Sequence, residues 1–313
     1  MTRRGLVLGG GAILGFAWEV GALRALEERI GIAAQEFDMI VGVSAGAIMG
    51  ALVSCGVSTD VLLRHQRGEP APADIALDYD YHALDGSNGK PPRPDWGVGS
   101  PSLLARAARR PGALPPMAII SAALPVGKGS LDPVQRVIAQ VCPQGWAPHP
   151  SLWVVAMDYA TGTRAVFGRP GSPKADLATA VGASCAIPSW FTPVEIEGKR
   201  YVDGGMFSNT STDLLAGQGL DEVYVIAPMV SFAMDSPDGM MAKLERRWRR
   251  SVTRRCEREA IKVRASGADV TIIGPSVEDL RAMGPNLMDV ARKNQVLETS
   301  LRTSSAALRL AGV

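Results

Sequence analysis

Within the first 56 residues, two short apolar runs each end in a turn and feed a stretch with helix-forming character, a pattern few architectures accept. Residues 5–8 (GLVL) run into Gly9-Gly10-Gly11, which reads as a buried strand entering a tight turn. From Gly15 to Ile30 the apolar residues Phe16, Val20, Leu23, Leu26 and Ile30 recur at steps of three and four, one face of a helix. Residues 37–43 (FDMIVGV) read as a second strand, and 45–56 (AGAIMGALVSCG) as a small-residue helix that packs closely on a neighbour. Strand, helix, strand, helix predicts a parallel, right-handed βαβα start.

The remainder extends the same alternation. LWVVAMD (152–158) reads as a core strand, with RAVFG (164–168) pairing to it across the turn at Thr161-Gly162. DLATAVGASCA (176–186) is a helix stopped by Pro188, and EVYVIAP (222–228) and DVTIIGP (269–275) are further apolar strands. Short helices are expected near 102–110 and 131–141, the second opening at Asp132-Pro133, and a long structural helix near 285–310. Residues 68–101 break the pattern with Pro70, Pro72, Pro91, Pro92, Pro94 and Pro101, and read as a surface insertion of the lid or cap type. With no internal repeat and no linker, the expectation is a single domain over 1–313: an α/β, three-layer sandwich with a mostly parallel central sheet.

Bulk properties exclude several classes. A net charge of +2 over 313 residues gives no electrostatic argument for nucleic acid. Cys55, Cys142, Cys185 and Cys256 are scattered without a CxxC pair, so reduced thiols in a cytoplasmic setting are expected, and neither a zinc site nor a disulfide framework. The opening MTRRGLVLGGGA lacks the apolar core of a secretory signal, and no window of 18 residues is purely apolar.

Three motifs carry chemistry. Gly42-Val43-Ser44-Ala45-Gly46 is a GxSxG between an apolar strand and a helix-forming run, the context that lifts a serine hydroxyl out of a sheet; the alternative is an ordinary turn serine. Gly9-Gly10-Gly11-Ala12 with Gly15 presents bare backbone N–H groups at a helix start. A dinucleotide fingerprint fails there because Leu14 stands where glycine is needed, and a Walker loop fails because Phe16 replaces its lysine. An oxyanion hole and a merely tight turn both remain open. Asp203-Gly204-Gly205 puts a carboxylate on a closely approachable turn, although Asp-Gly is also a common turn dipeptide. The last histidine, His149, precedes Asp203, which disfavours the Ser, acid, His order of an α/β-hydrolase and favours a carboxylate acting directly on the serine. His65 and His149 are read as surface or loop residues, His82 lies in the insertion, and Asp158 is read as a strand-end turn residue.

Taken together, LGGGAILG (8–15), GVSAG (42–46) and DGG (203–205), in this order, resemble the patatin-like phospholipases. The run ASCAIPSWFTPVEIEGKRYVDGG (183–205) is similar to that family's approach to its aspartate. The resemblance covers roughly 1–60 and 150–230. It implies a Ser44–Asp203 dyad in which Ser44 attacks an ester carbonyl and Asp203 takes its proton. Amides of Gly10, Gly11 and Ala12 would hold the oxyanion; Gly9, Gly15, Gly42, Gly46, Gly204 and Gly205 would supply the supporting turns; no metal or organic cofactor is implied. The implied substrates are phospholipid, lysophospholipid or neutral lipid esters, with a soluble esterase or thioesterase, or a catalytically weak lipid-binding protein, as alternatives. One departure is Leu14, where many family members carry Arg or Lys.

Residues 241–264 carry ten Lys/Arg against Glu245, Glu257 and Glu259, with Met241, Leu244, Trp248 and Val252 in an apolar stripe. A packed amphipathic helix with a solvated outer face is the favoured reading, and peripheral contact with an anionic membrane the sharper one.

Overall fold

The computed structural model describes residues 2–77 and 93–310, so residues 78–92 of the Pro/Gly-rich segment, His82 among them, lie outside the described residues. Among the described residues eight strands form one sheet: β1 (Arg4–Leu8), β2 (Met39–Val43), β3 (Leu152–Asp158), β4 (Arg164–Phe167), β5 (Val194–Ile196), β6 (Lys199–Asp203), β7 (Glu222–Ile226) and β8 (Asp269–Ile273). Hydrogen-bonded neighbours run β5-β6-β3-β2-β1-β7-β8, with β4 on β3. The pairs β1–β2, β1–β7, β2–β3 and β7–β8 are parallel, while β4, β5 and β6 pair antiparallel.

Ten helices flank it among the described residues: α1 (Ala12–Ile30), α2 (Ala45–Ser54), α3 (Thr59–Arg67), α4 (Pro101–Arg109), α5 (Pro116–Ala123), α6 (Asp132–Val141), α7 (Leu177–Cys185), α8 (Met240–Ala265), α9 (Val277–Met283) and α10 (Lys293–Leu310). Alternation along the strands divides the core. Leu6, Leu8, Ile40, Val154 and Ala156 face a cluster built with α1, α2, α6, α7 and α10. Val7, Val41, Val43, Val155 and Val225 face the opposite side, where α8 contributes Val252, Cys256, Ala260 and Val263. Helix, sheet, helix is the three-layer α/β sandwich that the pattern predicted. Helix α1 starts at Ala12, three residues ahead of the apolar periodicity, because the first turn belongs to the glycine loop itself.

The registers fix how β2 and β6 meet. Val155 pairs with both Val43 of β2 and Val166 of β4, so β2 and β4 occupy opposite edges of β3. Ala156 pairs with both Ala165 of β4 and Asp203 of β6, so β6 also lies opposite β4. Strands β2 and β6 therefore share one edge of β3 and run toward each other, ending at adjacent registers, Val43 on Val155 and Asp203 on Ala156.

Helix α8 corrects one expectation. Met241 and Leu244 are exposed, and the buried face at this end carries Glu245, Arg246 and Arg249 instead. The reason is a buried ion network. Glu245 bridges Arg246 and Arg249, Arg246 also pairs with Asp235 at 2.5 Å, and Arg249 donates to the Pro228 carbonyl at 2.5 Å. Removing one member of such a network strands a buried charge, which costs far more than the intact pair contributes. Glu245→Ala is expected to destabilise the fold by about 3–5 kcal/mol, measured as a shift in urea midpoint at unchanged slope; a shift no larger than that of a surface substitution would contradict it.

Candidate active site

Ser44 sits between β2 and α2 with φ 54° and ψ −120°, a strained conformation for a residue with a side chain. The turn closes because Gly46 rests directly on the Leu8 carbonyl of β1, where any Cβ would overlap it, and Gly42 similarly faces the backbone of Gly46 and Ala47. Ser184 of α7 stabilises the strained peptide: the Ser44 N–H donates to its hydroxyl at 2.8 Å, and that hydroxyl donates to the Val155 carbonyl at 2.6 Å. The elbow is thus tied to β3 through a residue that motif reading did not single out, although it lies in the ASCAIP run.

Asp203 arrives from the opposite direction. Its N–H donates to Ala186 O at 3.0 Å, and Gly205 N–H donates to its Oδ1 at 2.7 Å. Gly204 passes flat against the Val155 carbonyl, where a side chain would not fit. The structure brings the two expected residues together: Ser44 Oγ donates to Asp203 Oδ2 at 2.6 Å, with both residues buried. Burial pushes the Asp203 carboxyl up to about 6, against the downward pull of the Ser44 hydroxyl and the Gly205 amide.

The glycine loop is more selective than its sequence suggested. Gly9 N–H donates to Ile226 O at 2.9 Å, Gly9 O accepts from Gly46 N–H at 3.1 Å, and Gly15 N–H closes on Gly11 O at 2.8 Å. Gly11 and Gly15 lie against the Pro228 ring. The Gly10 N–H is committed to Asn209 O at 2.9 Å, so of the three expected oxyanion donors only Gly11 and Ala12 keep amides without a partner among the described residues. Leu14 is fully buried and its N–H bonds Leu287 O, so position 14 faces the core and not the serine.

Beside Ser44 opens an apolar cavity of about 130 Å³, walled by Ala12, Phe16, Ile48, Leu62, Val134 and Phe191 among others. His65, expected on the surface, stands on α3 and reaches this cavity, its Nε2 2.9 Å from Ile75 O. Leu77, at the described flank of the Pro/Gly-rich segment, is also a wall residue. His149 is structural, bonding Phe37 O at 2.7 Å, and Asp158 caps its own turn by accepting from Ala160 and Thr161 N–H. No group of three His, Cys, Asp or Glu able to hold a metal occurs among the described residues.

A family model for patatin-like phospholipase matches residues 6–216. The chain belongs to the patatin-like phospholipase family. No curated protein of matching sequence was found. Among solved structures, VipD from Legionella pneumophila is similar at 13% identity and a TM-score of 0.44, with 96% of this chain and 67% of VipD covered. The type III effector protein ExoU is similar at 17% identity and a TM-score of 0.34. There 97% of this chain and 54% of that one are covered, so this chain spans about half of ExoU.

The raised Asp203 carboxyl has a linkage consequence. Its folded value lies above the ordinary 3.8, so the fold binds this proton more tightly than the unfolded chain, and stability falls as pH rises from about 4 to about 6. The shift corresponds to about 3 kcal/mol. Asp203→Asn removes that titration. Its unfolding free energy relative to the wild type is expected to improve by about that amount between about pH 4 and about pH 8, as read from denaturation at both values. A difference that does not change with pH would show that Asp203 ionises in the fold without cost.

Proposed function

We propose that this protein is a serine carboxylic-ester hydrolase acting on lipid acyl esters, with Ser44 as nucleophile and Asp203 as its base. The observation that carries the reading is the 2.6 Å Ser44–Asp203 hydrogen bond beside an apolar cavity, in a chain of the patatin-like phospholipase family. The acyl chain occupies the cavity and brings its carbonyl to Ser44 Oγ. Attack passes the hydroxyl proton to Asp203, a base matched to the task by its raised carboxyl. Charge developing on the carbonyl oxygen is met by the Gly11 and Ala12 N–H groups, reinforced by their place at the start of α1. Asp203 returns the proton to the departing alcohol, and water then releases the fatty acid by the same route. The charge missing at Leu14 motivated a catalytically weak alternative; the Leu14 side chain is buried in the core, and the ester assay below separates that reading from the hydrolase one.

The same reading gives α8 two faces. Its inner face packs, as the sequence favoured. On the outer face Lys243, Arg247, Arg250 and Arg254 are exposed with no acidic partner among the described residues. At its start Met240, Met241 and Leu244 stand 82%, 67% and 61% exposed. Arg249 ties this end of the helix to Pro228, which covers the glycine loop, so the apolar tip lies on the catalytic edge of the sheet. Apolar side chains ahead of a cationic stripe suit an anionic lipid surface approached active site first. No helix among the described residues is long and apolar enough to cross a membrane.

Hydrolysis of a medium-chain nitrophenyl ester by wild type, Ser44→Ala and Asp203→Asn tests the chemistry. Both variants should lose at least about 10³-fold in kcat/KM, and a fluorophosphonate should label wild type on Ser44; equal rates in all three would remove the hydrolase reading. Sedimentation with phosphatidylserine vesicles tests the surface. Binding should be strong at about 0.05 M salt, weaken at about 0.5 M, and drop in Arg247→Glu/Arg250→Glu; binding indifferent to both would assign α8 to packing alone.

A further inference from the structure

One polar side chain beside the dyad has no role in the chemistry above. Asn209 is half-buried, and its carboxamide has no protein hydrogen-bond partner among the described residues. Its Nδ2 lies 3.3 Å from the point where a Gly10 Cβ would stand, and Ser44 Cβ lies 3.3 Å from that same point. Seen from Gly205, the corresponding point is 3.5 Å from Asn209 Nδ2 and 2.9 Å from Asp203 Oδ1. The carboxamide therefore borders the junction of glycine loop, nucleophile and acid, which is close enough that a side chain at Gly10 or Gly205 would press on these atoms.

Asn209 is held there from both flanks. Its carbonyl accepts the Gly10 N–H, and the surrounding segment is clamped by Glu259 of α8, which accepts from Ser208 Oγ at 2.7 Å, Thr210 Oγ1 at 2.9 Å and Thr212 N–H at 3.1 Å. Glu259 is itself paired with Arg255 at 3.0 Å. Four bonds thus fix the segment and with it the place of the carboxamide.

The side of the serine on which it stands decides the ligand. The acyl cavity meets Ser44 through Ala12, Ala45 and Ile48, and neither Gly10, Gly205 nor Asn209 is among its walls. With the acyl chain in that cavity, the alcohol half of the ester must lie away from it, toward Gly10, Gly205 and Asp203. We propose that Asn209 Nδ2 donates a hydrogen bond to the alcohol oxygen of the ester as it leaves, which makes Asn209 a catalytic residue of the reaction proposed above and rests on that reading. In the step concerned the bond from carbonyl carbon to alkoxyl oxygen breaks, its electron pair goes to that oxygen, and the oxygen takes the proton that Asp203 received from Ser44. Asn209 transfers no proton; it meets the negative charge before the proton arrives, and after acylation the same donor meets the attacking water.

The test uses the leaving group as the probe. Two esters of one fatty acid are compared, a nitrophenyl ester, whose leaving oxygen carries negative charge unaided, and a glycerol ester, whose alkoxide does not. For Asn209→Ala and the near-isosteric Asn209→Leu, kcat/KM should fall on the order of 10- to 100-fold with the glycerol ester and less than about fivefold with the nitrophenyl ester. Because the result is read as the ratio of two values on one sample, partial unfolding scales both and cancels. Equal losses on the two esters would overturn the proposal and return Asn209 to a structural role. A wild-type protein that hydrolyses neither ester, and fails to label at Ser44, would instead overturn the hydrolase reading itself.

Discussion

A strand has two hydrogen-bonding edges, and β3 divides one of its own between two strands that approach from opposite ends. Strand β2 runs parallel to β3 as far as Val155, and β6 runs antiparallel to it as far as Asp203 on Ala156. Where the first stops the second stops, so the residue after β2 and the last residue of β6 are driven into the same gap. The Ser44–Asp203 contact, across 159 positions of sequence, is therefore a consequence of sheet register and not of flexible loops finding each other. A shift of one residue in either strand would turn every side chain of that strand to the other face and separate Ser44 from Asp203.

Holding this junction costs stability, and the cost is visible in two places. Ser44 keeps a positive φ outside the regions open to ordinary residues, and Asp203 is buried deeply enough to raise its carboxyl to about 6. Neither would persist in a loose surround. The Ser184 hydroxyl links the Ser44 amide to the Val155 carbonyl, Ala186 O receives the Asp203 N–H, and Gly46 locks α2 onto β1. Beyond these, Glu259 anchors the segment after the acid to α8, so the helix with the most basic sequence in the chain supports the site through one of its few carboxylates.

The parts of this fold legible in the sequence were those with a period. Leu6 and Leu8 against Val7, or Phe16 through Leu26, announce which face they bury, and the strands and main helices follow. GxSxG and DGG were legible because their glycines answer to close backbone approaches that leave no choice of residue. What could not be read was partner choice. Nothing in SNTST distinguishes an Asn209 carbonyl that takes the Gly10 amide from any turn, so all of Gly10, Gly11 and Ala12 seemed equally free. Of the stripe Met241, Leu244, Trp248 and Val252, the last two pack and the first two do not, because periodicity counts apolar residues and is blind to a charged pair such as Glu245 and Arg249, which can replace them once both partners are fully bonded. Helices α3, α5 and α9, of nine, eight and seven residues, were not read from the sequence.

The reaction proposed for this site does not call for a positive charge at position 14. In the proposed reaction the Ser44 proton moves to Asp203 as a negative charge appears on the carbonyl oxygen, so the charge of the two residues and substrate together is unchanged: it migrates from one oxygen to another. A cation placed near both would attract the ionised Asp203 before the reaction about as well as the oxyanion during it, and an interaction equally strong in both states does not lower the barrier. Selectivity requires donors short in range and aimed at one of the two positions. Backbone N–H groups at Gly11 and Ala12 have that character, and the Gly205 amide and the Ser44 hydroxyl serve the other position, on Asp203, in the resting state. A leucine at position 14 packs into the core and leaves this division intact, whereas a cation in the same buried place would stand unpaired there.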